Sequence, residues 1–371
     1  MNYKNLTVSE LKSICKKNHI KGYSLLNKDD LIKHIKKNLN KKKMRGGGSI
    51  LNRAELLRLL KYDETTLKNQ TSIYLGDTNI DKIDVNTFNG LDKLNILGLF
   101  RNKITKIEPG LFKDLKNLKQ IILNNNQITE IEPGAFNGLD NLNSLDLGSN
   151  KITNIEPGAF NGLDNLNSLD LGSNKITNIE PGLFKHLKKL DKLILDNNSI
   201  TTIEPNTFNG LDNLKKLELR DNSADINIKS GSFNGLHNLN TLILYNSKIK
   251  KLIAPGLFKD LKKLNYLDLY GNEITTIEPD TFNGLDNLNY LDLGRNGITE
   301  IKPGAFNGLG NLKTLILSNN SILLSSSNFK KTVNKTKENN YGNQKSYKVL
   351  NTNISKLPIF KGLPPNTEIH I

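Results

Sequence analysis

LDNLNSLDLGSNKITNIEPGAFNG occupies residues 139–162, and residues 155–182 repeat residues 131–158 without a change. A closed globular core asks for a different side chain at each position, so a verbatim copy needs another kind of core. The period supplies it. Leucines recur every 24 residues at 94, 118, 142, 166, 190 and 214, then at 239, 264, 288 and 312. Phenylalanines keep the same beat at 88, 112, 136, 160, 184, 208, 233, 258, 282 and 306. A fixed period of this size signals stacked structural units, each burying its apolar face against the next. Within a unit, Leu142, Leu145, Leu147, Asn150 and Ile152 spell L-x-x-L-x-L-x-x-N-x-I. The L-x-L alternation predicts a short strand with one buried face. Ile155, Phe160 and Leu163 then form a second apolar set that returns the chain.

This spelling, with I-E-P-G-x-F-x-G-L, resembles the leucine-rich repeat proteins of the "typical" 24-residue class over residues 70–323. The resemblance implies an α/β fold: a right-handed solenoid with a curved parallel sheet on its concave face. It also implies that the turn asparagines (102, 126, 150, 174, 198, 222, 272, 296 and 320) point inward and bond the backbone of adjacent turns. Thr78 and Ser247 interrupt that column, which predicts looser turns there. The phenylalanines read as a stacked spine, and the glutamates of I-E-P (108, 132, 156, 180, 204 and 278) as solvent-facing. All three columns are scaffold.

Charge is uneven along the chain. Residues 1–45 carry twelve Lys and one Arg against three acids, and residues 328–371 carry eight Lys against two Glu, so most of the net +15 lies at the ends. Basic ends attract polyanions or keep a protein soluble. The single cysteine, Cys15, allows no internal disulfide and lies on an apolar helix face, which reads as an intracellular protein. The N-terminus lacks a signal-peptide run, no stretch has the length and apolarity of a membrane span, and six N-x-[ST] triplets are chance matches in an Asn-rich chain. Abundant Asn, Lys and Ile suggest an AT-rich genome. A solenoid beside a basic helical module resembles proteins of large DNA viruses of protists, with a low-GC bacterium or amoeba as the alternative. A viral source would put the protein in the host cytoplasm or nucleus.

Six segments follow. Residues 1–43 read as helix, extended loop, helix; residues 44–49 (MRGGGS) as a flexible linker; and residues 50–69 as a capping helix opened by Asn52 and Glu55. Residues 70–324 are the solenoid, residues 325–346 a polar loop, and residues 347–371 one worn capping turn in which Val349, Ile354 and Leu357 echo Leu75, Ile80 and Ile83. The stretch from Ile20 to Ile32 resembles the SAP module and the N-terminal module of transcription termination factor Rho. Carried over, Lys21, Tyr23, Ser24 and Lys28, with Lys33, Lys36 and Lys37, would touch DNA or RNA phosphates, and Lys16 and Lys17 extend the basic surface. A basic appendage making protein contacts is the other reading.

Selectivity must sit in what varies between turns. Tyr245, Tyr266, Tyr270 and Tyr290 fall on neighbouring turns, interleaved with Asp268, Asp292 and Arg295. Exposed Tyr beside Arg and Asp is the usual makeup of a protein-binding hot spot. The irregular turn 223–233 is a second candidate. Histidines 19, 34, 186, 237 and 370 are scattered, and no phosphate loop, nucleophile elbow or metal-ligand spacing occurs. The stacked Asp146 and Asp170 read as solvated surface rather than a cation site. The expectation is a non-enzymatic scaffold without cofactor or metal, gripping a protein partner on its concave face, with a nucleic-acid-tethered adaptor as the alternative and the oligomeric state open.

Overall fold

A computed structural model describes residues 7, 8, 11, 12, 16, 27–33, 49–222, 225–251, 256–322, 338–341, 344–350 and 358–371. Its main sheet has 14 strands. In chain order these are β1 (Ser72–Tyr74), β2 (Ile96–Gly98), β3 (Gln120–Ile122), β4 (Ser144–Asp146), β5 (Ser168–Asp170), β6 (Lys192–Ile194) and β7 (Lys216–Glu218). There follow β8 (Thr241–Ile243), β9 (Tyr266–Asp268), β10 (Tyr290–Asp292), β11 (Thr314–Ile316), β12 (Glu338–Tyr341), β13 (Gln344–Leu350) and β14 (Glu368–His370). Neighbours from β1 to β11 are parallel and in register, so Leu145 lies beside Leu169 and Leu169 beside Leu193. Each strand from β1 to β11 has three residues and buries its middle one. Two-residue strands such as Glu130–Ile131 and Asn154–Ile155 pair on the returning side.

The core is one continuous file along the solenoid. Leu145, Leu169, Leu193, Leu217, Leu242, Leu267 and Leu291 are all buried. Ten phenylalanine rings, Phe88 to Phe306, stack near-parallel behind them at 6.1–6.5 Å between centroids. Rings in that range attract beyond their burial.

The turn asparagines make the bonds their column implies. Asn150 Nδ2 donates to the carbonyls of Leu123, Leu147 and Gly148, and its Oδ1 accepts from the Ile128 amide at 3.1 Å. One side chain thus satisfies polar groups of two turns that water cannot reach. The residue before each such Asn is in the left-handed region, as at Ser149 (φ 54) and Ser173 (φ 55), which swings the chain off the sheet. The two interruptions are not loose. Ser247 Oγ donates to Leu219 O at 2.8 Å, and Thr78 Oγ1 to Leu75 O at 2.8 Å, so a hydroxyl replaces part of the amide's role.

A second ladder, unread in the sequence, runs along the outside. Asn117, Asn141, Asn165 and Asn213 donate to the carbonyls of Asp92, Lys116, Asp140 and Lys188, one turn earlier. The I-E-P glutamates are also less free than the expectation had them. Glu132 pairs with Lys106 at 2.9 Å, Glu204 with Lys229 at 2.6 Å and Glu278 with Lys302 at 2.8 Å.

Both ends differ from the sequence reading. Residues 50–69 hold two helices, α1 (Arg53–Leu60) and α2 (Glu64–Lys68), preceded by a strand, Ser49–Leu51, that pairs with Ile80–Ile83. Ser49, placed in the linker, therefore belongs to this strand. Asn52 caps α1 by accepting from the Glu55 amide at 2.9 Å, but Glu55 turns to Arg58 instead of completing a capping box. Leu51, Leu56 and Leu67 cover the first turn. At the other end, β12 and β13 form an antiparallel hairpin inside and beyond the stretch read as a polar loop. Strand pairing needs backbone groups rather than apolar side chains, so composition could not show it. The closing turn also has another phase. Phe360 stacks on Phe306 at 6.3 Å, Leu363 is buried, and Ile369 pairs with Leu315 in the leucine column. Val349 pairs antiparallel with Ile369, and Ile354 and Leu357 lie outside the described residues.

Replacing Asn174 by Ala should lower stability by roughly 1–3 kcal/mol, because it unpairs buried groups, whereas Asn165→Ala on the exposed ladder should cost under about 1 kcal/mol. Urea unfolding followed by circular dichroism measures the difference.

Candidate protein-binding face

Side chains flanking each buried leucine project from the sheet face opposite the core. Register sorts them into columns. The residue before the central leucine runs Ser144, Ser168, Lys192, Lys216, Thr241, Tyr266, Tyr290, Thr314. The residue after it runs Asp146, Asp170, Ile194, Glu218, Ile243, Asp268, Asp292, Ile316. Two positions further along come Gly148, Gly172, Asp196, Arg220, Tyr245, Tyr270, Gly294 and Ser318.

The structure brings the four tyrosines together as two stacks. Tyr266 lies on Tyr290 at 4.6 Å with rings 2° from parallel, and Tyr245 on Tyr270 at 5.4 Å and 3°. Strands are ~4.8 Å apart, so rings at matched register stack without strain. Asp268 and Asp292 stand side by side between the stacks. Each turns one oxygen back to its own strand end: Asp268 Oδ1 accepts from Tyr270 N at 3.0 Å and Asp292 Oδ1 from Gly294 N at 2.8 Å. Tyr290 Oη donates to Asp292 Oδ2 at 3.3 Å. Arg295 stands exposed at the strand end, in the left-handed region (φ 47).

The two carboxylates are poorly solvated. Asp292 keeps 9% of its surface, and burial, with the like charge of Asp268 adding to it, pushes its carboxyl up to about 6. Burial raises Asp268 as well, against the bond from Tyr270 and the charge of Arg220. The Tyr266 and Tyr290 hydroxyls are raised, first by burial and then by these carboxylates.

A charged cluster that the sequence reading missed borders the tyrosines. Glu218, 3% exposed, is held by Lys216 at 2.9 Å, Arg220 at 3.2 Å and Lys192 at 3.7 Å. Arg220 also meets Asp196 at 2.6 Å. Burial works to raise the Glu218 carboxyl, but the bond from Lys216 and the three cations carry it below the usual value. At Asp196 burial outweighs Arg220 and the carboxyl is raised. The signal was present as Lys192/Lys216 and Asp196/Arg220 at a 24-residue offset, visible once register is known. Beyond this cluster the identical turns leave Gly148 and Gly172 as bare backbone, flooring a shallow depression of about 250 Å³ edged by Asp146, Asp170 and Arg220. Asp146 and Asp170 spend an oxygen on Gly148 N and Gly172 N. Among the described residues no group of three or more His, Cys, Asp or Glu could hold a metal.

Of the nucleic-acid candidates, Lys16, Lys28 and Lys33 are described, all exposed on helical turns. Asn27 Oδ1 caps the second of these helices through the Asp30 amide at 2.9 Å, Leu31 and Ile32 face inward, and Lys33 pairs with Asp30 at 3.7 Å. Lys17, Lys21, Tyr23, Ser24, Lys36 and Lys37 lie outside the described residues, as do Ser223 and Ala224 of the irregular turn. That turn is regular where described, with Asn227–Ile228 pairing on Thr202–Ile203.

A parallel solenoid with a recurring inside and a variable strand face defines a repeat protein of the solenoid class. The chain belongs to the leucine-rich repeat family, whose model matches residues 68–128, 116–176, 164–223, 226–274, 251–298 and 286–328. Residues 2–43 match the N-terminal domain of Rho termination factor. No curated protein matches. Among solved structures the chain is similar to one in the TLR13–ssRNA13 complex, at 27% identity over 72% of this chain and 42% of that one (TM-score 0.55). A chain of the Drosophila Toll–Spatzle complex shares the fold at 23% identity, over 74% of this chain and 39% of that one (TM-score 0.58). So does one in the octameric complex of Latrophilin 3, Unc5D and FLRT2, at 24% identity over 71% and 80% (TM-score 0.56). The chain thus spans less than half the length of the first two. Among the described residues no helix is long and apolar enough to cross a membrane.

Asp292 binds its proton more tightly folded than unfolded, so its contribution to stability is full below the ordinary value of 3.8 and is lost as pH rises through about 6. Asp292→Asn should therefore raise stability at neutral pH, by up to about 2 kcal/mol, with the gain vanishing near pH 4. Urea midpoints across pH check this.

Proposed function

We propose that this chain is a non-enzymatic scaffold that grips a protein partner on its concave face, through Tyr245, Tyr266, Asp268, Tyr270, Tyr290, Asp292 and Arg295. The observation that carries the reading is the pair of tyrosine stacks, half-buried and held at fixed spacing by the sheet. Rigid aromatic groups lose little entropy on contact and supply much of the area that makes a hot spot. Leucine-rich repeat folds commonly mediate protein association, and the Toll, TLR13 and FLRT2 chains are found in complexes. The single cysteine supports an intracellular setting.

A second reading adds a tether. The basic residues 1–45 match the Rho N-terminal domain over residues 2–43, and Lys16, Lys28 and Lys33 are exposed. In this reading the module holds DNA or RNA by its phosphates while the solenoid recruits.

Affinity capture with the full chain should lose its specific partner when Tyr266 and Tyr290 are both changed to Ala, a loss of at least about 2 kcal/mol for a hot spot. Unchanged capture by the double variant would reject the concave-face reading. For the tether, the full chain should shift single-stranded RNA or duplex DNA in a gel at low salt, with residues 46–371 failing to do so. Affinity should fall steeply with added salt.

A further inference from the structure

The N-terminal end of the concave face is apolar. Tyr74 on β1 lies beside Gly98 on β2, and two positions further along each chain stand Gly76 and Phe100. A Cβ on Gly76 would overlap the Phe100 ring, and one on Gly98 would lie 2.7 Å from Tyr74 Cδ1. Each ring therefore rests on a glycine of the neighbouring turn, in space that any other residue would need. The rings are held against backbone, yet Tyr74 keeps 53% of its surface exposed. Ile96, Phe100 and Ile122 are half-buried, with Ile122 beside Gly98 in register. Two rings and two aliphatic side chains thus make one apolar patch over β1 to β3, of the kind that marks an interaction surface.

Charge enters on the next two turns. Ile122 pairs in register with Asp146, and Asp146 with Asp170. One oxygen of each carboxylate accepts from its own strand end, at Gly148 N and Gly172 N, and the other has no partner among the described residues. Burial raises the Asp146 carboxyl against the bond from Gly148 N, and the like charge of Asp170 adds to it. The concave positions of β1 to β5 carry these two carboxylates and neither Lys nor Arg. Arg101 and Lys119 stand exposed at opposite ends of the strands, in no ion pair with either carboxylate among the described residues.

We infer that this patch docks an extended segment of a protein partner that carries a large apolar residue and, two to four residues from it, Lys or Arg. The apolar side chain covers Tyr74, Phe100 and Ile122, and the cation reaches Asp146 and Asp170. The inference rests on the concave-face reading above and adds a second contact at the opposite end of that face. The spacing follows from the sheet. From β2 to the point between β4 and β5 is about 2.5 strand spacings, ~12 Å, and extended chain rises about 3.3 Å per residue. The length of a Lys or Arg side chain makes up the difference at the shorter spacing. Charge selects the occupant: nucleic-acid phosphates or an anionic membrane would be repelled by the two carboxylates, and a cation complements them. The bare backbone of Gly148 and Gly172 lets the partner's main chain come close over β4 and β5.

The probe is a random twelve-residue peptide library displayed on phage and selected on the full-length protein. Enriched peptides should share a large apolar residue with Lys or Arg two to four positions away. A synthetic copy of one, followed by fluorescence anisotropy, should bind at least about ten-fold more weakly to Tyr74→Ser. It should lose a similar factor on Asp146→Asn with Asp170→Asn, whose amides keep an acceptor for Gly148 N and Gly172 N. Added salt should weaken binding to the unaltered protein and leave binding to that double variant nearly unchanged. Circular dichroism with urea midpoints checks that each variant is folded. No enrichment, enrichment of acidic peptides, or a peptide indifferent to both changes would overturn the inference. So would a dimer of this chain that Tyr74→Ser dissociates, since a second copy would then cover the patch. Tyr266→Ala with Tyr290→Ala separates this inference from the one beneath it. If that change abolishes peptide binding while Tyr74→Ser leaves it intact, the patch is wrong and the concave face still binds. If none of these changes matters, the face itself is wrong.

Discussion

The turn asparagine is the constraint on which the rest depends. A solenoid must reverse its backbone at every strand end, and each reversal strands carbonyls and amides in a dry interior. Asn174 answers for three carbonyls and one amide across two successive turns. Because the bonds cross the turn boundary, each unit is positioned by its neighbour rather than by a global core. The leucine file and phenylalanine spine add most of the burial, but they are directionless. The amide ladder turns a greasy stack into a register, and register sets which side chains meet on the strand face.

That dependence explains what the sequence could and could not reveal. The period, the strand at L-x-L, the inward Asn and the ring spine were all readable, because each follows from a residue's place within one unit. The tyrosine group was readable for the same reason, since Tyr266 and Tyr290 are one period apart. Their pairing into two stacks, and the burial of the carboxylates between them, needed the structure. So did the Glu218 cluster, whose members look like ordinary surface charges in sequence and close around a buried carboxylate only when β6 and β7 lie side by side. The ends were misread where periodicity fails. Phe360, Leu363 and Ile369 do keep the family spacing, but the 54-residue gap after Phe306 hides their phase. The hairpin of β12 and β13 is made by backbone pairing in polar sequence, which no apolar pattern announces.

From β4 onward the variable face divides into a bare segment and an aromatic one, separated by the charge cluster at β6 and β7. Where the turns are identical the surface is glycine and serine around two aspartates, low in relief. Where they diverge, at β8 to β10, it carries rings and desolvated acid. Such a division concentrates chemical variety in few turns and leaves the others uniform.

The verbatim copy gains meaning in that light. Adding or removing one 24-residue unit between residues 131 and 182 would break no kind of contact, since each copy presents the same surfaces to its neighbours. It would translate the aromatic segment relative to the α1–α2 cap by one strand spacing, ~5 Å, and rotate it by one increment of the superhelix. The distance between the two ends of the molecule can therefore be reset in whole steps while the aromatic segment stays untouched.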